Sequence, residues 1–197
     1  MGLSREGVIE KALALLDEAG LDGLTVRALA RSLGVENPAL YWHFQGKQEL
    51  LNRMAERILS EAFQGFDAGT GRWEDALREF ARRFRQALLS RRDATRVVAG
   101  ADLSENPLQP ATDRLAGSLA QSGCKPGVAR TGVIALLNYT LGASFEQQQD
   151  PRIDDDLRQL GFDRSLQLII AGIRAEGFAS RSRKGAAGPR KPRKARR

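Results

Sequence analysis

The chain has 197 residues, 42% of them hydrophobic, which is enough for one good core or for a small domain joined to a larger one. A single cysteine, Cys124, closes no internal disulfide and is expected to be buried and inert, and a single histidine, His43, excludes any site that needs two histidine ligands. The net charge of +7 is local, because nine of the 31 basic residues fall in 181–197, a stretch without acid, leaving 22 basic against 24 acidic residues in 1–180.

No apolar run reaches the ~18 residues of a membrane span, and the first twenty residues mix charged with apolar positions instead of forming a signal sequence. The chain is therefore expected in the cytoplasm, away from membranes. In chain order, Ser4 can cap a first helix over 5–19, with Val8, Ile9, Ala12, Leu13 and Leu16 at helical spacing and Gly20 ending it. Thr25 caps a two-turn helix, "VRALARSL", that breaks at Gly34. Asn37 is the expected N-cap of a third helix over 38–44, with Pro38 in its first position.

A fourth helix is expected from Gly46 or Lys47 to Phe63, and a fifth over 72–90, where Arg82, Arg83 and Arg85 read as a solvated face. A short helical segment near 93–98, a helix over 110–121 and a long one over 127–148 follow. The acidic "DPRIDDDLRQLGF" reads as a loop, with Asp154, Asp155 and Asp156 solvated instead of binding calcium, and a last helix spans 163–176. No period-two alternation or repeat is present, so the fold is all-α. The final stretch "RSRKGAAGPRKPRKARR" has too little apolar content to order alone, and reads as a disordered basic tail, either solubilising or an arm on nucleic-acid phosphates that would steepen the salt dependence of binding.

The stretch "NPALYWHF" carries most of the function. An α-helix turns about 100° per residue, so Tyr41, Trp42, His43 and Phe44 cannot all face one core. If Leu40 and Phe44 are buried, Tyr41 and Trp42 point outward, with His43 beside them. Two short helices joined by a tight glycine turn make a helix-turn-helix, and the major groove of B-DNA, about 12 Å wide, is a suitable receiver for the second. Asn37 suits an adenine edge and Ala39 a thymine methyl. Tyr41 suits a phosphate, Trp42 a sugar or thymine, and His43 backbone or base. Lys47, opening the next helix, suits phosphate.

"GLTVRALARSLGVENPALYWHFQGKQELL" resembles the DNA-binding module of the tetracycline-repressor family, and "FRQALLSRRDATRV" and "YTLGASFEQQQ" resemble its C-terminal domain. The resemblance implies a helix-turn-helix domain over 1–46, a helical effector-binding and dimerisation domain over 47–178, and the tail over 179–197. It places Thr25, Arg27, Asn37, Pro38, Ala39, Tyr41, Trp42, His43 and Lys47 at DNA-contacting positions. It also implies a homodimer, paired through a bundle of the two longest C-terminal helices, on a palindromic operator. A small-molecule effector would enter the C-terminal core and release the DNA.

The same resemblance places the effector pocket at Phe63, Phe80, Phe84, Val98, Asn138 and Glu146. Phe63 and Val98 stand where tetracycline-binding members carry histidines, and Phe80 where they carry an asparagine. The expected effector is accordingly apolar or aromatic and independent of Mg²⁺, with no metal and no cofactor. Residues 1–54 hold six basic and seven acidic side chains, so bulk attraction to DNA is absent there and affinity rests on a few placed groups. An effector-independent DNA-organising protein that uses the basic tail is the alternative. An enzyme is excluded by the lack of a second histidine, a glycine-rich phosphate loop or paired metal ligands.

Overall fold

The computed structural model describes residues 3–68, 71–102, 108–150, 152 and 154–178, so the basic stretch over 179–197 lies outside the described residues. Among these the chain is all helix. The elements are α1 (Arg5–Gly23), α2 (Val26–Leu33), α3 (Asn37–Tyr41), α4 (Lys47–Phe63), α5 (Trp73–Leu89), α6 (Ala94–Gly100), α7 (Gln109–Gln121), α8 (Pro126–Gln149) and α9 (Asp155–Gly177). None of them is long and apolar enough to cross a membrane.

The caps follow from the residue types. The Ser4 hydroxyl accepts from the Gly7 amide at 3.1 Å and the Thr25 hydroxyl from the Ala28 amide at 3.1 Å, each satisfying a donor that the first turn leaves open. Gly20 adopts φ 71°, as its place after the first helix predicts, but the backbone then makes one more helical turn to Gly23. Gly34 closes α2 in the left-handed conformation, φ 68°.

α3 is shorter than its spacing predicts and begins one residue earlier. Glu36 takes the N-cap position, without a side-chain bond, and Asn37 is already helical, leaving its amide free of the capping task. After Tyr41 the backbone continues in a tighter turn, with the His43 and Phe44 amides both donating to the Leu40 carbonyl at 3.0 Å. Phe44 reaches the core through that turn and not through a regular helix.

The supposed acidic loop is mostly helix. Asp154 caps α9, its Oδ1 accepting from the amides of Asp156 at 2.9 Å and Leu157 at 3.2 Å, and Asp155 and Asp156 sit in the first turn. Carboxylates there complement the positive end of the helix dipole, which is why an acidic run starts a helix here. Asp154→Ala should lower stability by about 1 kcal/mol, checked by the urea midpoint. An unchanged midpoint would show that α9 is held by its packing alone.

The apolar interior forms two clusters. One joins α1–α4 to α6 and the C-terminal half of α5, through Leu13, Leu16, Leu29, Leu40, Phe44, Met54, Leu59, Leu88 and Val97. The other joins α5, α7, α8 and α9 through Leu77, Phe80, Leu115, Leu119, Leu136, Phe162 and Leu166. α4 and α5 contribute to both, so helix movements in one cluster are felt in the other. Cys124 is buried in the second cluster, where burial pushes its thiol pKa up and disfavours the reactive thiolate.

Candidate functional site

The helix-turn-helix head, α1–α3, is built around two anchors. Leu40 and Phe44 are buried, each contributing about 1.5–3 kcal/mol of apolar burial. The Arg5 guanidinium lies 5.2 Å from the Phe44 ring centre and pairs with Glu49, whose second oxygen accepts from the Gln45 amide at 2.7 Å. The end of α3 is thus fixed to α1 and α4. With those anchors inside, Tyr41 is left 57% and Trp42 88% exposed. His43 and Ala39 are half-buried, while Asn37, Pro38, Arg27 and Lys47 are exposed. Tyr41 and Lys47 border one small apolar crevice of about 20 Å³. The nine candidate residues therefore lie on α2 and its N-cap, on α3 and the turn after it, and in the first turn of α4.

Polar links clasp this head to the core. Arg91 pairs with Asp17 at 2.6 Å, Arg92 donates to the Glu18 carbonyl at 3.1 Å, and Arg96 pairs with Asp22 at 3.0 Å, all at a constant separation of 74 residues. Asp93, the described non-glycine residue with a left-handed backbone (φ 56°), accepts from the Leu21 amide at 2.8 Å. A second set of links joins α4 to the end of α6. Gln48 donates to the Gly100 carbonyl at 2.9 Å, and Asn52 accepts from the Asp102 amide at 2.9 Å.

The six candidate pocket residues divide into two groups. Phe63 packs on Phe80 with ring centres 4.8 Å apart, and Phe84 follows Phe80 at 6.4 Å. Phe66 joins them, 5.6 Å from both Phe63 and Phe80. Val98 is buried in the first cluster with Phe84. Asn138 and Glu146 are instead exposed on α8, where they line an open cleft of about 490 Å³ between α5, α8 and α9. Glu146 and Asn138 thus do not share a cavity wall with Phe63, Phe80, Phe84 or Val98 within this cleft. Among the described residues, no three His, Cys, Asp or Glu side chains cluster closely enough to hold a metal ion.

Two family models match the chain, "Bacterial regulatory proteins, tetR family" over residues 8–54 and "Tetracyclin repressor-like, C-terminal domain" over 66–161. The class C tetracycline repressor protein of Escherichia coli is 40% identical over 199 residues, covering 87% of this chain and 90% of its own length. The chain belongs to the tetR family. A TetR variant from Acinetobacter baumannii AYE in complex with minocycline superposes with a TM-score of 0.81 at 37% identity, covering 89% of this chain and 99% of that one. BioQ bound to its double-stranded DNA operator superposes at 0.73 with 31% identity, covering 88% and 99%. This tetR-family protein is a DNA-binding transcriptional regulator and not an enzyme.

Some features of the tetR-family chain are not visible in helical periodicity. Arg83 and Arg85 are not simply solvated. Arg83 pairs with Glu79 and lies over the Phe66 ring, and Arg85 is half-buried between α8 and α9. Phe66 follows a glycine in a stretch that reads as a linker, so only its hydrophobicity could have flagged it. The α1–α6 clasp does leave a trace, since acids at 17 and 22 face arginines at 91 and 96 with the same spacing.

Proposed function

We propose that the protein is a repressor that binds a palindromic operator as a homodimer and is released by a small apolar or aromatic effector. The observation that carries the DNA-reading half is the outward aromatic pair, Tyr41 and Trp42, on a short helix whose other side is anchored by Leu40 and Phe44. Large exposed rings are costly to leave in water and suit a groove lined by sugars and thymine methyls. Asn37 and Ala39 read base edges, and Pro38 sets the helix entry. Tyr41, His43, Lys47 and Arg27 contact backbone, and Thr25 holds the start of α2 against it.

Dimerisation is assigned to the outer faces of α8 and α9. Leu157, Leu160 and Leu168 follow one stripe of α9, with Ile134 and Phe145 on α8, and all are exposed in the single chain. Two-fold pairing there sets two heads on half-sites about 34–36 Å apart. The effector is assigned to the aromatic core around Phe63, Phe80, Phe84 and Val98, with Asn138 and Glu146 on the side of the dimer seam. Its entry would strain the α4–α6 links and reorient the head, and by linkage DNA must oppose its binding equally.

The test is selection of duplexes from a randomised pool at about 150 mM salt, a concentration at which purely electrostatic binding is already weakened. Enrichment of a palindrome is the expected result, and retention of DNA without sequence preference would overturn it. Calorimetric titration with tetracycline plus Mg²⁺ should show no tight binding, because Phe63 and Val98 offer a magnesium-drug complex no ligand atom. Tight Mg²⁺-dependent binding would refute the apolar assignment.

A further inference from the structure

Arg85 reaches from α5 into the cleft between α8 and α9, its guanidinium 4.8 Å from the centre of the Phe162 ring. Nη1 donates to Gln159 Oε1 at 2.6 Å and Nη2 to Gln147 Oε1 at 2.7 Å. Each of those amides is in turn held by an acid: Gln159 donates to Asp163 at 2.9 Å and Gln147 to Asp155 at 3.3 Å. The carboxylates therefore fix the guanidinium through neutral relays. Among the described residues no carboxylate forms an ion pair with it directly. Asp163 meets Arg82 instead, at 3.5 Å.

This arrangement orients a cation without neutralising it. Only two of the five guanidinium N–H donors are used by the amides. Burial pushes the Arg85 pKa below the ordinary arginine value, so the charge is held against a desolvation cost that an incoming anion would relieve. A purely structural tie between α5, α8 and α9 would be stronger with a carboxylate in place of either glutamine. Supporting groups that lock a charged side chain while leaving it unpaired are what a preorganised binding site requires.

We propose that this cleft binds a small aromatic monocarboxylate, with Arg85 taking the carboxylate and the half-buried Tyr139 ring lying along the aromatic part. Its volume of about 490 Å³ lies within the 300–1,000 Å³ range of ligand sites. Tyr139 stacks on the buried Phe162 with centres 5.6 Å apart, which fixes its ring as one wall, and Gly142 and Gly161 leave the helix surfaces beside it bare of side chains. Arg158 also lines the cleft, but Glu146 in the same lining and Asp155 and Asp163 behind the amides set three acids against the two arginines, which favours a monoanion over phosphate. None of Phe63, Phe80, Phe84 or Val98 lines this cleft, which holds Asn138 and Glu146 of the candidate pocket and borders the α8–α9 face.

The full-length protein titrated with 2-naphthoate in a calorimeter should bind one molecule per chain, at least tenfold more tightly than it binds 2-naphthamide. Arg85→Gln should lose at least that tenfold, and inorganic phosphate should not compete. Should Arg85→Gln fail to fold, Gly142→Trp serves instead: a Cβ at 142 meets nothing within 4 Å, so the indole can fill the cleft without disturbing the ties of Arg85. Retained 2-naphthoate binding in Gly142→Trp or a folded Arg85→Gln would place the molecule elsewhere and overturn the proposal. So would equal affinity for acid and amide, competition by phosphate, or no binding at millimolar 2-naphthoate.

Discussion

Replacing Tyr41 and Trp42 together with alanine is expected to weaken operator binding at least a hundredfold while leaving the thermal midpoint almost unchanged. Both rings are mostly exposed, so their removal takes little from the folded state, within the ~0.5 kcal/mol typical of surface substitutions. If each ring loses ~1–3 kcal/mol of groove contact, the pair loses roughly 3 kcal/mol, about two powers of ten in affinity. The control is Phe44→Ala, whose ring is buried. That change should cost about 3–5 kcal/mol of stability and lose DNA binding only because the head unfolds. Fluorescence anisotropy with the selected operator, read beside a melting curve, separates the two. Undiminished affinity in the double variant would mean that the aromatic pair serves some other interface.

Much of the fold was legible because helical spacing is strong where one face is buried. Val8, Ile9, Ala12, Leu13 and Leu16 in α1 all lie in the core, as do Leu77, Phe80, Phe84 and Leu88 in α5. The errors fell where local chemistry has two meanings. Aspartates favour both loops and the first turn of a helix, and at 154–156 the helix prevailed because their carboxylates cap and complement α9. Asn37 is a good N-cap residue, yet Glu36 takes that position without a side-chain bond and Asn37 is the first helical residue of α3. Periodicity fixes a face and leaves an end uncertain by a residue or two.

Site legibility follows the same division. The outward direction of Tyr41 and Trp42 follows from geometry alone once Leu40 and Phe44 are inside, and both are exposed. The pocket residues are separated by 83 positions between Phe63 and Glu146, and no local pattern says which of them share a cavity. Packing sent the phenylalanines into ring-on-ring contact and left Asn138 and Glu146 on an open cleft. Arg85 was hidden for a related reason. An arginine among arginines on a helix looks solvated until two glutamines from other helices, 62 and 74 residues away, close on it.

Leu160→Glu with Leu168→Glu should convert the protein to a monomer by sedimentation and reduce operator affinity by roughly a hundred- to ten-thousandfold. In the single chain Leu160 is 68% and Leu168 63% exposed, so the substitutions remove little burial and introduce no unfavourable helix former. In a paired bundle the same carboxylates would be taken out of water without partners, at a cost of several kcal/mol, which is enough to dissociate the interface. DNA binding then falls without any change in α2 or α3. A lone head engages one half-site, and the second half-site no longer contributes at the high effective concentration that a rigid dimer provides. The residual binding should be that of a half-site, with the base preference of the full operator's half-site retained. If the variant keeps the wild-type mass and operator affinity, subunits pair elsewhere and the exposed stripe on α9 has another occupant.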